Sequence, residues 1–166
     1  MQNDAIAIAN YFVKKGNEDI SAPDLTLLRL VKYVYIAYGF ALSVLNKVII
    51  DKRFDEVQAW KYGPVIPSVY HSFKHNRDQK ITKECVILKS ENDAGELHFE
   101  TPEVEDERIK IILDFVWERY KGKTTPDLIN ILHAPGTPWA FCYRVGQNVE
   151  IPDKITKVYY DALVNS

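Results

Sequence analysis

A chain of 166 residues, 46% hydrophobic and 27% charged, is long enough to bury a sizeable core and reads as one domain over residues 1–166. Its formal net charge of −2 argues against a dedicated nucleic-acid binder, and neither a membrane-spanning run nor the apolar core of a secretory signal is evident. Cys85 and Cys142 are the two cysteines and have no paired spacing, so reduced thiols in a cytoplasmic protein are expected.

In chain order, Asn3 or Asp4 can cap a first helix reaching Lys15, with Gly16 as its stop. Asp24 can cap a second, from Leu25 to about Leu45. That helix is apolar nearly all round, through Leu28, Leu30, Val31, Val34, Tyr35, Ile36, Leu42 and Leu45, which places it in the middle of the domain. Arg29, Lys32 and several tyrosines interrupt it, so it is no membrane anchor. Lys32 reads first as an amphipathic lysine that keeps its head in water, with a binding role as the alternative. Val48–Ile50 is a β-branched run that suggests a short strand.

The stretch from Phe54 to Phe73 organises the rest. Asp55 is a good N-cap, Gln58 can complete a capping box, and Val57 and Trp60 would share a face of a short helix. Gly63 and Pro64 stop that helix, and Pro67 starts another carrying Val69 and Phe73, which gives a helix–corner–helix. Trp60 is expected to be mostly buried against the Leu25–Leu45 helix. Ile66 offers no capping acceptor, so the amides of Ser68, Val69 and Tyr70 need other partners. Those partners are the Ser68 hydroxyl, water, an internal carboxylate, or an acidic group of a partner protein received between Tyr62 and Tyr70.

Lys74–Lys83 carries four basic residues, Lys74, Arg77, Lys80 and Lys83. Val86–Leu88 and Glu96–Glu100, with turn residues between them, read as a β-hairpin. The remainder reads as helical. Thr101-Pro102, Thr125-Pro126 and Thr137-Pro138 each place a threonine cap before a proline, opening helices that run to Tyr120, His133 and about Val145. Ile109, Ile112, Leu113, Val116 and Tyr120 form the core stripe of the first, and a last helix from Pro152 or Asp153 uses Ile155, Tyr159 and Leu163.

The run Ala59-Trp60-Lys61-Tyr62-Gly63-Pro64-Val65, followed by Pro67 and Tyr70, resembles the signature of the Panacea domain, the SocA-like, phage-associated family of antitoxins. Lys32 and Tyr35 match the family's Lys-Leu-x-Tyr-x-Ala segment, and His133, Thr137, Pro138 and Trp139 match its C-terminal element. The resemblance implies a mainly α-helical domain around a buried central helix, with a small β element. It also implies a cytoplasmic antitoxin that binds a cognate toxin protein, either blocking it or presenting it to a protease as an adaptor. The partner-binding candidates are then Lys32, Tyr35, Trp60, Tyr62, Gly63, Pro64, Val65, Pro67, Ser68, Tyr70, His133 and Trp139.

Side-chain chemistry offers little else. Cys142 lies among Trp139, Phe141 and Tyr143 and reads as a small buried hydrophobe rather than a nucleophile, which leaves no catalytic residue; a small hydrolase using the His133 loop is the enzyme alternative. His71 and His75 have the spacing of two metal ligands but lack a third, so no metal or cofactor is expected. A DNA-binding regulator would need a continuous basic face along Lys74–Lys83. The acidic segment from Glu91 to Glu107, including Asp93, Glu96, Glu100, Glu103, Glu105 and Asp106, reads first as solvated hairpin edge and helix start, and alternatively as a steering patch for a basic partner.

Overall fold

The structure, a computed structural model, describes residues 4–90 and 95–166. In chain order the elements are α1 (Asp4–Glu18), α2 (Leu27–Leu45), β1 (Gln58–Trp60), β2 (Gly63–Val65), α3 (Pro67–Phe73), β3 (Ile87–Ser90), β4 (Leu97–Glu100), α4 (Glu107–Tyr120), α5 (Thr125–His133), α6 (Pro138–Cys142), β5 (Val149–Glu150) and α7 (Asp153–Val164). The fold is mainly α with two small antiparallel sheets, as the sequence indicates.

Every residue of α2 from Arg29 to Leu42 is buried. A helix without a polar face must be covered on all sides, and α1, α4 and α7 supply the cover. The helix is long and apolar enough to cross a bilayer, but 78% of that span lies inside the domain, as in the core helix of a folded protein. Phe12, Tyr33 and Trp117 join α1, α2 and α4, with ring centroids 5.6 Å apart for Phe12–Tyr33 and 5.7 Å for Tyr33–Trp117. Arg29 has no carboxylate partner. Its guanidinium donates to the carbonyls of Lys121 and Lys123 just past α4, where a cation also meets the negative end of the helix dipole.

The seam between α2 and α7 is closed by Tyr35 with Thr156, Tyr38 with Asp153, and Ser43 with Asp161. At its centre Tyr160 lies fully buried against Gly39, where a Cβ would fall 2.2 Å from the ring. Ile155, Tyr159 and Leu163, the expected stripe of α7, are half-buried flanks of this contact, and the residues turned fully inward are Thr156 and Tyr160.

The chief correction concerns the central stretch. No helix follows Asp55: residues 58–60 form β1, Lys61 and Tyr62 make a two-residue turn, and Gly63–Val65 returns as β2. Val57 and Ala59 are buried while Gln58 and Trp60 are half-buried, a period of two rather than 3.6. β5, some ninety residues later, pairs with the other side of β1 and completes the sheet β2-β1-β5. Pro64 is tolerated because β2 is an edge strand. Gln58 caps nothing; its side chain bonds Glu56 and accepts from the Trp60 indole at 2.8 Å.

Other boundaries move for local reasons. α1 continues through Gly16, where a Cβ would meet the Leu25 side chain at 3.3 Å, so the glycine serves close packing; Asn3 lies outside the described residues. Thr26, not Asp24, occupies the N-cap of α2, and Asn46 closes it at φ 50°. Val48–Ile50 forms no strand, although Ile49 and Ile50 are buried. α4 starts five residues after Pro102, capped by Asp106, because Thr101-Pro102 runs extended and the Pro102 carbonyl accepts from Asn10. A capping box of Thr124 and Asp127 opens α5, one residue before the expected Thr125. Thr137 caps α6 as expected, but that helix ends at Cys142.

The β3–β4 hairpin forms as expected, its turn lying outside the described residues. Its base is held by the buried Asn10, whose amide accepts from the Cys85 N–H at 2.7 Å and donates to the Cys85 carbonyl. Leu88 pairs with Phe99 on the outward face, where both are exposed.

Gly39→Ala is expected to destabilise the protein by about 1–3 kcal/mol, despite alanine's higher helix propensity, because the Tyr160 ring has nowhere to move. Urea denaturation of the two proteins checks this; equal midpoints would refute it.

Candidate functional site

The turn between β1 and β2 exposes two backbone carbonyls that need partners. The Trp60 carbonyl accepts from the Trp139 indole at 2.7 Å, and the Tyr62 carbonyl from the Lys32 ammonium at 2.5 Å. Gly63 follows at φ 123°, a conformation that a residue with a side chain rarely adopts. A Cβ there would also lie 3.3 Å from Lys32 Nζ and 3.6 Å from His133 Nε2. Three distant segments therefore meet at one glycine: α2 through Lys32, the turn itself, and the end of α5 through His133.

His133 lies flat on Trp139, with ring centroids 3.6 Å apart and 3° between planes, and Trp139 in turn stacks on Tyr143. Burial and, after it, the neighbouring charge of Lys32 lower the His133 pKa from its ordinary value, against the Tyr62 backbone, which raises it. Its Nε2 is buried and makes no hydrogen bond.

Lys32 does not keep its head in water. It is 1% exposed, and burial pulls its pKa down from the usual lysine value to about 8. Among the described residues no carboxylate pairs with it, and the Tyr62 carbonyl is its hydrogen-bond partner.

A pocket of about 430 Å³ opens beside this cluster, walled by Leu27, Leu28, Val31, Trp60, Tyr62, Val65 and Tyr70, with the polar Thr26, Lys32, Lys61, Arg77 and Asp78 also in its lining. Trp60 is half-buried and meets Tyr70 edge to face at 4.9 Å. It packs against the core and also walls the pocket, while Trp117, 2% exposed, whose indole donates to Asp19, is the more deeply buried tryptophan. Tyr62 is 55% exposed.

The structure thus gathers Lys32, Trp60, Tyr62, Gly63, Val65, Tyr70, His133 and Trp139. Pro64 joins them as the edge-strand partner of Ala59. Tyr35 stays apart in the seam with α7. Pro67 and Ser68 also lie elsewhere, at the start of α3, where the Ser68 amide faces the buried Asp55 at 3.4 Å and the Val69 amide bonds the Ile66 carbonyl. The internal carboxylate thus takes the place offered to a partner's acidic group, and burial raises the Asp55 pKa. Leu27, Leu28, Val31, Arg77 and Asp78 were not among the expected site residues; of these, Leu28, one turn before Lys32 on the same helix face, carried a signal in its spacing.

The other candidates fall away from this site. Cys142 is buried and burial raises its pKa, which keeps it a thiol. His71 and His75 are exposed, and among the described residues no cluster of His, Cys, Asp or Glu could hold a metal. Lys74, Arg77, Lys80 and Lys83 are exposed around a 3-10 turn and the loop after it. Glu91 and Asp93 lie outside the described residues, while Glu100, Glu103, Asp106 and Glu107 pair with Lys89, Lys14, Arg108 and Lys110.

Lys32 gives the site a pH signature. The folded state holds its proton less tightly than the unfolded chain, so the residue costs stability below about pH 8, and the cost is relieved as pH rises toward the usual lysine range. From pH 7 to pH 9.5 that relief amounts to about 2 kcal/mol. Lys32→Met lacks it, so its stability relative to wild type should fall by about that much over the same interval. Urea melts at the two pH values measure it, and a constant difference would show that Lys32 titrates normally.

Residues 30–140 match the family model described as Antitoxin SocA-like, Panacea domain. The chain is also similar to the protein named Antitoxin SocA from Caulobacter vibrioides (strain NA1000 / CB15N), at 29% identity over 161 residues, covering 93% of this chain and 80% of that protein. No solved structure matches.

Proposed function

Because the chain belongs to the SocA-like Panacea family of antitoxins, we propose that it neutralises a cognate toxin by direct, stoichiometric binding, using the face around Trp60, Tyr62 and Tyr70. One observation carries this reading: the signature residues Lys32, Trp60, Tyr62, Val65 and Tyr70 line one open pocket whose aromatic walls are only partly covered. Rigid aromatic side chains at a concave apolar surface are what protein interfaces use as anchors. The antitoxin acts by occupancy and needs no chemistry of its own. The bound toxin is then either occluded or presented to a protease, and its half-life in cells with and without that protease separates the two routes.

The test is co-expression with candidate toxins encoded beside this gene, followed by affinity purification. Wild-type protein is expected to rescue growth and to retain the toxin. Tyr62→Ala, at a residue exposed enough to leave folding intact, should weaken the complex by about tenfold or more with an unchanged melting temperature. Undiminished affinity in that variant would remove the face from the interface.

A further inference from the structure

The pocket beside the turn carries more information than its aromatic walls. Most of its wall is apolar or aromatic, and Lys61, Arg77 and Asp78 also line it, yet Lys32 is the buried charge among its lining residues. An ammonium has three N–H donors, and Lys32 directs one interaction at the Tyr62 carbonyl with no carboxylate among the described residues to balance its charge. Arg29, one turn earlier on the same helix, shows how this fold treats a cation that is purely structural: its two terminal nitrogens find Thr125, Tyr33 and the carbonyls of Lys121 and Lys123. Lys32 has no comparable set. Taking a charge out of water without a counter-charge is costly, and a methionine of similar length would fill the space without that cost. A fold that keeps an under-coordinated ammonium in the lining of an apolar pocket is arranged to receive an anion there.

We propose that this pocket is a binding site for a carboxylate carried on an apolar or aromatic body, with Lys32 holding the carboxylate and Trp60, Tyr62, Tyr70 and Val31 enclosing the body. The volume of about 430 Å³ lies within the range of small-ligand pockets and suits a group of the size of a phenylpropanoid acid. The turn presets the geometry. The Tyr62 carbonyl positions the ammonium, and Gly63 leaves the space beside it that a side chain would fill. Arg77 and Lys61, also in the lining, add attraction for an incoming anion, opposed there by Asp78. The same chemistry could arrive on a toxin chain, as an acidic residue or chain end beside a large apolar side chain, or as a free small acid. The assignment stands whether or not the toxin reading does.

The test uses the full-length protein and two probes of equal shape, 3-phenylpropionate and its uncharged amide, 3-phenylpropionamide. Each is titrated at pH 7 while the Trp60 indole resonance is followed in ¹H–¹⁵N spectra. The acid is expected to bind at least tenfold more tightly than the amide. Lys32→Met, checked for folding by its spectrum, should bind both equally. Equal affinity of acid and amide for the wild type, or binding of neither, would overturn the assignment without recourse to any variant. So would a preference that survives in Lys32→Met but is lost in Arg77→Gln, which would move the charge recognition to Arg77. Once the acid is shown to bind, adding the toxin identifies the natural source: competition means that the carboxylate is carried on the toxin, and undisturbed binding in the complex means a free acid.

Discussion

α2 has no face left for water, and two of its buried residues are cations. This constraint shapes everything around it. Apolar cover from α1, α4 and α7 satisfies the hydrocarbon, but Arg29 and Lys32 need acceptors inside the protein. Both are met by main-chain carbonyls rather than by carboxylates. Arg29 draws in the chain after α4, and Lys32 draws in the turn between β1 and β2. Each long-range bond fixes where a distant segment must dock, so the polar exceptions on an apolar helix specify the arrangement that the apolar residues alone would leave loose.

The family signature acquires a physical meaning in this arrangement. Trp60 and Tyr62 matter twice, once through backbone carbonyls that Trp139 and Lys32 hold, and once through side chains that wall a pocket. Gly63 is required by its backbone angle and by the closeness of Lys32 and His133. Residues scattered over more than a hundred positions form one contiguous structure, held through the buried Lys32, the Trp139 indole and the Gly63 backbone. The pocket is thus the by-product of a turn clamped from two sides, and its rigidity suits recognition.

Charge follows a simpler rule. Of the six described acidic residues expected to form a patch, at least four are paired at short range, as Glu103 is with Lys14 and Glu100 with Lys89. Partly exposed pairs of this kind contribute little to stability, but they quiet the surface. The helix start at Pro67 is quieted in the same way, by Asp55 from within the fold.

The sequence by itself determined the burial of α2, the core stripe of α4, the β3–β4 hairpin, the threonine cap of α6 and the set of signature residues. These depend on local periodicity and on groups a few residues apart, which are written in the chain. It did not determine that Asp55–Tyr62 is a strand and turn. Capping residues and a Gly-Pro stop suit a helix locally, and the strand exists because β5 and the clamps from Lys32 and Trp139 supply partners from far away. Trp60 and Trp117 could not be ranked for burial for the same reason: a tryptophan's exposure depends on what docks against it. Lys32 is the sharpest case. On a bare helix an amphipathic lysine reaches water, and only when the turn closes over it, with its carbonyl at hydrogen-bond distance, does it become a buried charge facing an apolar pocket.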